Sequence, residues 1–197
     1  MKIVKIDQKD PDLDLINEAI EVLSSGGIIL YPTDTVYGLG ANIFNEKAVE
    51  EVYNVKNRNY FKPMSLCVSS VEKIYLIANV LSKYKSLISK KLPGPFTFVF
   101  YKTDAIPDYF VKDHKIGVRV PENNISRELA RIFPITATSA NLSGEKTLKT
   151  PKEIINQLNK DIDLVVDIGP LKRSLPSTVV DLTKNNPIIL RNGSGSV

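Results

Sequence analysis

Apolar residues recur along this chain with two periods, one helical and one alternating, and they divide it into short elements. Leu13, Ile16, Ala19, Ile20 and Leu23 share one helix face, and Gly26-Gly27 stands where that helix should end. Ile28 to Tyr31 reads as a buried strand. Asn45 is placed to cap a second helix, with Ala48, Val49 and Val52 on its apolar face and its end near Lys56. Met64 to Val68 reads as another strand, and Ser69 with Glu72 as the capping box of the next helix. Tyr84, Leu87, Ile88 and Lys91 mark a helix stopped by Pro93-Gly94-Pro95, before a strand from Thr97 to Tyr101. Ile116, Val118 and Val120 alternate with Gly117 and Arg119, so Arg119 faces away from the three apolar side chains. Asn124 or Ser126 should open a helix that turns Leu129, Ile132 and Phe133 inward. Ile135 to Thr138 and Leu164 to Ile168 read as strands. Between them Thr150, Pro151 and Glu153 give a helix start by cap, first-turn proline and box partner. Thr178 to Leu182 and Ile188 to Leu190 should pair as a hairpin.

Such alternation predicts an α+β chain of layered α/β type, with a mixed sheet flanked by helices. No repeat or composition break divides it, so residues 1–197 read as one domain. An apolar fraction of 43% and a charged fraction of 24% are those of an ordinary globular chain. No apolar run is long enough to span a membrane, and the N-terminus turns acidic too early for a secretory signal, so a cytoplasmic location is expected.

Chemistry is narrowed by what is scarce. Cys67 and His114 are the single cysteine and the single histidine. A zinc site of Cys and His ligands is therefore disfavoured, and so is catalysis through a histidine base. Cys67 in "MSLCV" reads as a small apolar residue and His114 in "VKDHK" as a surface one. The net charge of +4 favours an anionic partner only weakly. Instead, polar chemistry gathers where strands end. "YPTDT" supplies Thr33 and Thr35, "TSANLSG" supplies Ser139 and Asn141, and "LPSTVVD" supplies Ser177. Any one of these clusters suits a turn or a cap, but their recurrence suits a small ligand held where strand ends converge. Lys56, Arg58, Arg119 and Arg191 are cations placed to serve such a site, neutralising phosphate and binding a carboxylate. There is no GxxxxGK[ST] and no GxGxxG, so a nucleotide would not be held by a P-loop.

Together, "YPTDTVYGLGAN", "KNR", "LPGPFTFVF", "GVRVP", "TSANLSG" and "STVVDL" with "ILRNG" resemble the YrdC/TsaC family, the threonylcarbamoyl-AMP synthases. The resemblance runs over nearly the whole chain. It implies a single YrdC-like domain with a twisted mixed sheet and a concave ligand-binding face. It also implies a reaction in which ATP, bicarbonate and L-threonine give threonylcarbamoyl-adenylate and pyrophosphate. A separate transferase would then pass the group to an adenosine beside a tRNA anticodon.

By the same resemblance, Lys56 and Arg58 are the catalytic pair. Lys56, Arg58, Lys62, Asn141 and Arg191 bind ATP, while Thr33, Thr35, Arg119, Ser139 and Ser177 bind threonine. Gly38 and Gly40 should let the backbone turn away beside the ligand. Magnesium should arrive with ATP, because no carboxylate cluster suggests a dedicated metal cage. The chain departs from the family at Asn59, where many members have proline, at Lys62, where some carry asparagine, and at Cys67, where longer members carry histidine. Two readings compete: a YciO-like relative without synthase activity, and an RNA-binding module with weak affinity through a basic concave face.

Overall fold

The computed structural model describes residues 1–172 and 175–196. Its strands are β1 (Lys2–Lys5), β2 (Ile29–Tyr31), β3 (Gly38–Gly40), β4 (Ser65–Cys67), β5 (Ala78–Asn79), β6 (Phe96–Lys102), β7 (Lys115–Arg119), β8 (Ile135–Ser139), β9 (Leu164–Asp167), β10 (Thr178–Asp181) and β11 (Ile188–Arg191). Its α-helices are α1 (Leu13–Ser24), α2 (Glu46–Val55), α3 (Val71–Ile77), α4 (Lys85–Lys91), α5 (Asn124–Leu129) and α6 (Pro151–Leu158).

Local signals set most helix ends. Asn45 accepts the Ala48 N–H, and Thr150 and Glu153 cap each other's backbone in a full box with Pro151 in the first turn. One helix start falls one residue from the expected place: Ser70, not Ser69, precedes α3, and its side chain makes no cap bond to the backbone. α5 opens at Asn124, the first of the two expected starts, and Asn123 caps it by accepting the Ser126 N–H. Ile132 is 62% exposed instead of inward, because α5 ends at Leu129 and the chain has left the helical register by then.

The strands form one mixed sheet in the order β1-β9-β2-β3-β8-β4-β7-β6-β10-β11, with β5 beside β6. Parallel pairs (β1/β9, β2/β9, β4/β7, β6/β10) are mixed with antiparallel ones, and β10/β11 is the expected hairpin. β1 and β3 are strands that apolar alternation did not indicate. Gly38 and Gly40 do not turn the chain away: they lie in β3, paired with β2 and β8. A Cβ on either would press on the Tyr31 ring at 3.0 or 3.1 Å, so the glycines make room for that ring.

Because strand side chains alternate, the sheet feeds two cores. Leu30, Leu39, Leu66, Phe98, Val118 and Val165 join one, with Val52, Ile74, Ile88 and Ile154 of α2, α3, α4 and α6. Ile29, Tyr31, Cys67, Ile135 and Val166 join the other, with Ile16 and Leu23 of α1 and Ile125 and Leu129 of α5. Among the described residues four helices thus cover one face and two the second. There the stretch of the second face over β7, β6 and β10 carries no helix, and this uncovered stretch is where the polar residues collect.

Candidate active site

The uncovered face bounds a cavity of about 400 Å³, within the usual range of small-ligand pockets. Strand alternation builds its floor from Lys115, Gly117 and Arg119 of β7, Thr97 and Val99 of β6, Ala137 and Ser139 of β8, and Val179 and Asp181 of β10. Gly117 keeps the middle of this floor open. A Cβ there would lie 2.7 Å from Ser65 Oγ and 3.2 Å from Thr97 Cγ2.

At one end of the floor stands Arg119, only 6% exposed. Its Nη2 donates to Asp34 Oδ1 at 2.6 Å and its Nη1 to Thr35 Oγ1 at 3.1 Å. The second Asp34 oxygen and Arg119 Nε are buried without a partner among the described residues, so the pair is ionic yet incompletely satisfied. Thr33 holds the turn that presents this pair. Its hydroxyl donates to Val36 O at 2.6 Å and accepts the Thr35 and Val36 N–H groups at 3.1 and 3.2 Å. Cys67 is buried nearby, and burial pushes its thiol up to about 12, so it stays protonated and apolar in character.

The segment after α2 supplies the second wall. Arg58 is half-buried. Its Nε donates to Lys62 O at 3.2 Å and its Nη2 to Pro63 O at 2.9 Å, so the following loop aims the guanidinium. Asn59, where relatives often place proline, makes its own turn by accepting the Phe61 N–H at 2.8 Å. Lys56, by contrast, is 1% exposed. Its ammonium donates to Ser139 O, to Asn141 O at 2.7 Å and to Asn141 Oδ1 at 3.4 Å. Burial first, and the Arg58 charge second, bring its pKa down to about 7.

The third wall is the β10/β11 hairpin. Arg191 Nε and Nη2 donate to Ser177 O at 3.2 and 2.9 Å, and Nη2 reaches Ser177 Oγ at 3.3 Å. Ser177 Oγ lies 2.7 Å from Thr97 Oγ1. Burial lowers the Arg191 pKa, and the charges of Arg119 and Arg58 lower it further. The three guanidinium groups therefore converge closely enough to repel one another, an arrangement that an anion would relieve.

Thr33, Arg58, Arg119, Ser139, Ser177 and Arg191 line the cavity. Thr35, Lys56 and Asn141 are buried behind its wall, and Lys62 is exposed outside it, offering its carbonyl to Arg58. Sequence reasoning missed Asp34, Thr97 and the Lys115–Asp181 ion pair, which closes at 3.1 Å on the floor. The signal for Lys115 was present, since it extends the Gly117, Arg119 alternation by one step. Among the described residues no three His, Cys, Asp or Glu side chains gather as a metal site, and no helix is long and apolar enough to cross a membrane.

Known proteins resemble this chain in sequence and fold. The sequence profile of the Sua5/YciO/YrdC family, described as "Telomere recombination", matches residues 21–193. A putative threonylcarbamoyl-AMP synthase of Methanocaldococcus jannaschii is 42% identical over 197 residues, covering 98% of this chain and 93% of the relative. The crystal structure of P. abyssi Sua5 complexed with L-threonine has a TM-score of 0.91 at 29% identity, covering 98% of this chain and 58% of that one. The crystal structure of E. coli YciO has a TM-score of 0.92 at 32% identity, covering 100% of this chain and 98% of that one. Matched along nearly its whole length in sequence and in fold, the chain belongs to the Sua5/YciO/YrdC family.

Proposed function

We propose that this chain is an L-threonylcarbamoyladenylate synthase, a nucleotidyltransferase that joins L-threonine, bicarbonate or CO₂, and ATP. The observation that carries the reading is the convergence of Arg58, Arg119 and Arg191 with the hydroxyls of Ser139 and Ser177 on one cavity. A relative named as that synthase and a neighbour solved with L-threonine support it.

The chemistry asks little covalent work of the protein. The threonine amine adds to CO₂, loses a proton to solvent and becomes a carbamate. One carbamate oxygen then attacks the α-phosphorus of ATP, and pyrophosphate leaves with the electron pair of the broken P–O bond. The protein must hold an amino acid against a triphosphate and spread phosphate charge. Arg119, oriented by Asp34 and Thr35, takes the threonine carboxylate. The Ser139 and Ser177 hydroxyls, with the turn set by Thr33, surround the side chain and the amine. Arg58 and Arg191 take phosphate oxygens, with Lys62 outside the wall adding positive potential. Magnesium travels with the ATP phosphates. The floor carboxylate Asp181 is already held by Lys115 and by the Thr183 N–H and hydroxyl, which leaves it ill suited to a metal cage.

The adenylate then passes to a separate transferase acting on tRNA. The basic "KNRNYFK" segment offers RNA only a weak electrostatic contact. A cytoplasmic location goes with this reading. Incubation with ATP, magnesium, bicarbonate and L-threonine tests the reading: threonine-dependent pyrophosphate and the adenylate product are expected. Neither would form with a YciO-like relative lacking synthase activity, or with a module that only binds RNA.

A further inference from the structure

Lys56 and Asn141 lie behind the cavity wall, yet both are bonded to a residue that lines it, Ser139. Asn141 Nδ2 donates to Leu142 O at 2.9 Å and to Glu145 O at 2.7 Å. Its Oδ1 accepts from Lys56 Nζ at 3.4 Å and from Ser139 Oγ at 2.5 Å. The reverse orientation would set the amide oxygen against two carbonyls and its NH₂ against an ammonium, so the surroundings leave one orientation. The same ammonium draws in the Ser139 and Asn141 carbonyls, and Ser143 N–H returns to Lys56 O at 2.9 Å. While Lys56 carries its proton, its three N–H donors meet three acceptors, and the turn from Ser139 to Ser143 is closed around the lysine head.

A serine hydroxyl has one proton to give. Here it is directed to Asn141 Oδ1, so the oxygen lone pairs remain for the cavity that Ser139 lines. We propose that Lys56 is a positioning residue: by fixing Asn141 it makes the Ser139 hydroxyl a hydrogen-bond acceptor toward a donor on the bound amino acid, its N–H or its hydroxyl. Lys56 then touches neither threonine nor ATP. The proposal rests on the synthase reading for the identity of the amino acid, but the architecture of the turn does not.

The test is a double-mutant cycle in the full chain, with L-threonine and ATP titrated separately by calorimetry. Lys56→Met and Ser139→Ala should each weaken threonine binding roughly ten-fold, the size of one lost hydrogen bond of the charge-assisted kind. The double variant should be no worse than either single one, since the lysine acts through that serine. Losses that multiply, wild-type threonine affinity in Lys56→Met, or a larger loss for ATP than for threonine would each overturn the proposal. If Lys56→Met does not fold, Asn141→Ala replaces it in the same cycle, because it removes the same link. Hydrogen exchange gives a reading that needs no ligand. In Lys56→Met, or in Asn141→Ala where that replaces it, the Asn141 and Ser143 amides should exchange faster while Val118 in β7 does not. If the wild type binds no threonine, the synthase reading falls. Faster exchange confined to the turn would still uphold the lysine's role, and unchanged exchange would end it.

Discussion

Two cations are buried at this site, and they are buried in different ways. Lys56 faces neutral oxygens alone, and all its donors are matched. Arg119 faces a carboxylate, yet Arg119 Nε and Asp34 Oδ2 have no partner among the described residues. A closed set of hydrogen bonds has no capacity left for a ligand. An ion pair with unused donors on a cavity floor has both capacity and a reason to gain a partner. Charge alone therefore does not separate a binding cation from an architectural one; the count of unmet donors does.

The heaviest blow to this contrast should come from Arg119→Ala. It strands the Asp34 carboxylate in a buried position, which costs about 3–5 kcal/mol of stability. Thermal denaturation should show a marked fall in Tm, and threonine binding should be lost while ATP binding largely survives. Adding Asp34→Ala should restore part of the Tm. An Arg119→Ala protein as stable as the wild type would mean that Asp34 does not depend on Arg119 for its burial.

Arg58→Ala should act on the other ligand. It removes a charge-assisted contact of about 1.5–3 kcal/mol from ATP binding, with threonine spared. Calorimetry with each ligand separately decides this. Equal losses for both ligands in both arginine variants would dissolve the division of the site into an amino-acid end and a phosphate end.

The amino-acid end should also read the side chain. Serine lacks one methyl and should fall behind threonine by about 1–3 kcal/mol. Valine leaves the pocket's hydroxyls without their partner and should fall behind serine. Adenylate formation with the three amino acids at matched concentration checks the order. Valine ahead of serine would show that the pocket reads shape instead.

A gentler probe of Lys56 is pH. Its pKa falls from 10.5 in the unfolded chain to about 7 when folded. Between those values the unfolded chain holds the proton and the folded one does not, so the contribution to stability grows as pH rises above about 7. It is lost again as pH falls through that value. The Tm of the wild type should rise across this window relative to that of Lys56→Met. A constant difference between the two would indicate that the lysine keeps its proton throughout.

Much of the architecture could be read from the chain because its causes are local. The helix faces, the Asn45 and Thr150 caps and the β10/β11 hairpin depend on residues within a few positions of one another. The start of α3 fell one residue from its expected place because Ser69 and Ser70 are adjacent and of the same type. β3 could not be read, since "GLG" has no strand propensity and owes its place to the Tyr31 ring and to β8, far along the sequence. The site divided in the same manner. Thr33, Arg119, Ser139 and Ser177 could be nominated from the recurrence of polar strand ends and from the family resemblance, though none of them alone. The Asp34 partner of Arg119, the Asp181 partner of Lys115 and the burial of Lys56 depend on packing across the sheet.

The place of β9 in the sheet sets a schedule for folding. β9 pairs with β1 through Lys2↔Leu164 and its neighbours, and with β2 through Ile29↔Leu164. The first strand made thus waits for one of the last. A chain still emerging from the ribosome and ending before residue 164 presents two open parallel edges. Such a nascent chain can form α1 but cannot seat it, because the core beneath α1 includes Leu164 and Val166. Long-range parallel pairing of this kind is slow to form. The vulnerable moment of this protein therefore comes during synthesis, when its N-terminal strands are complete and the strand that joins them has not yet been made.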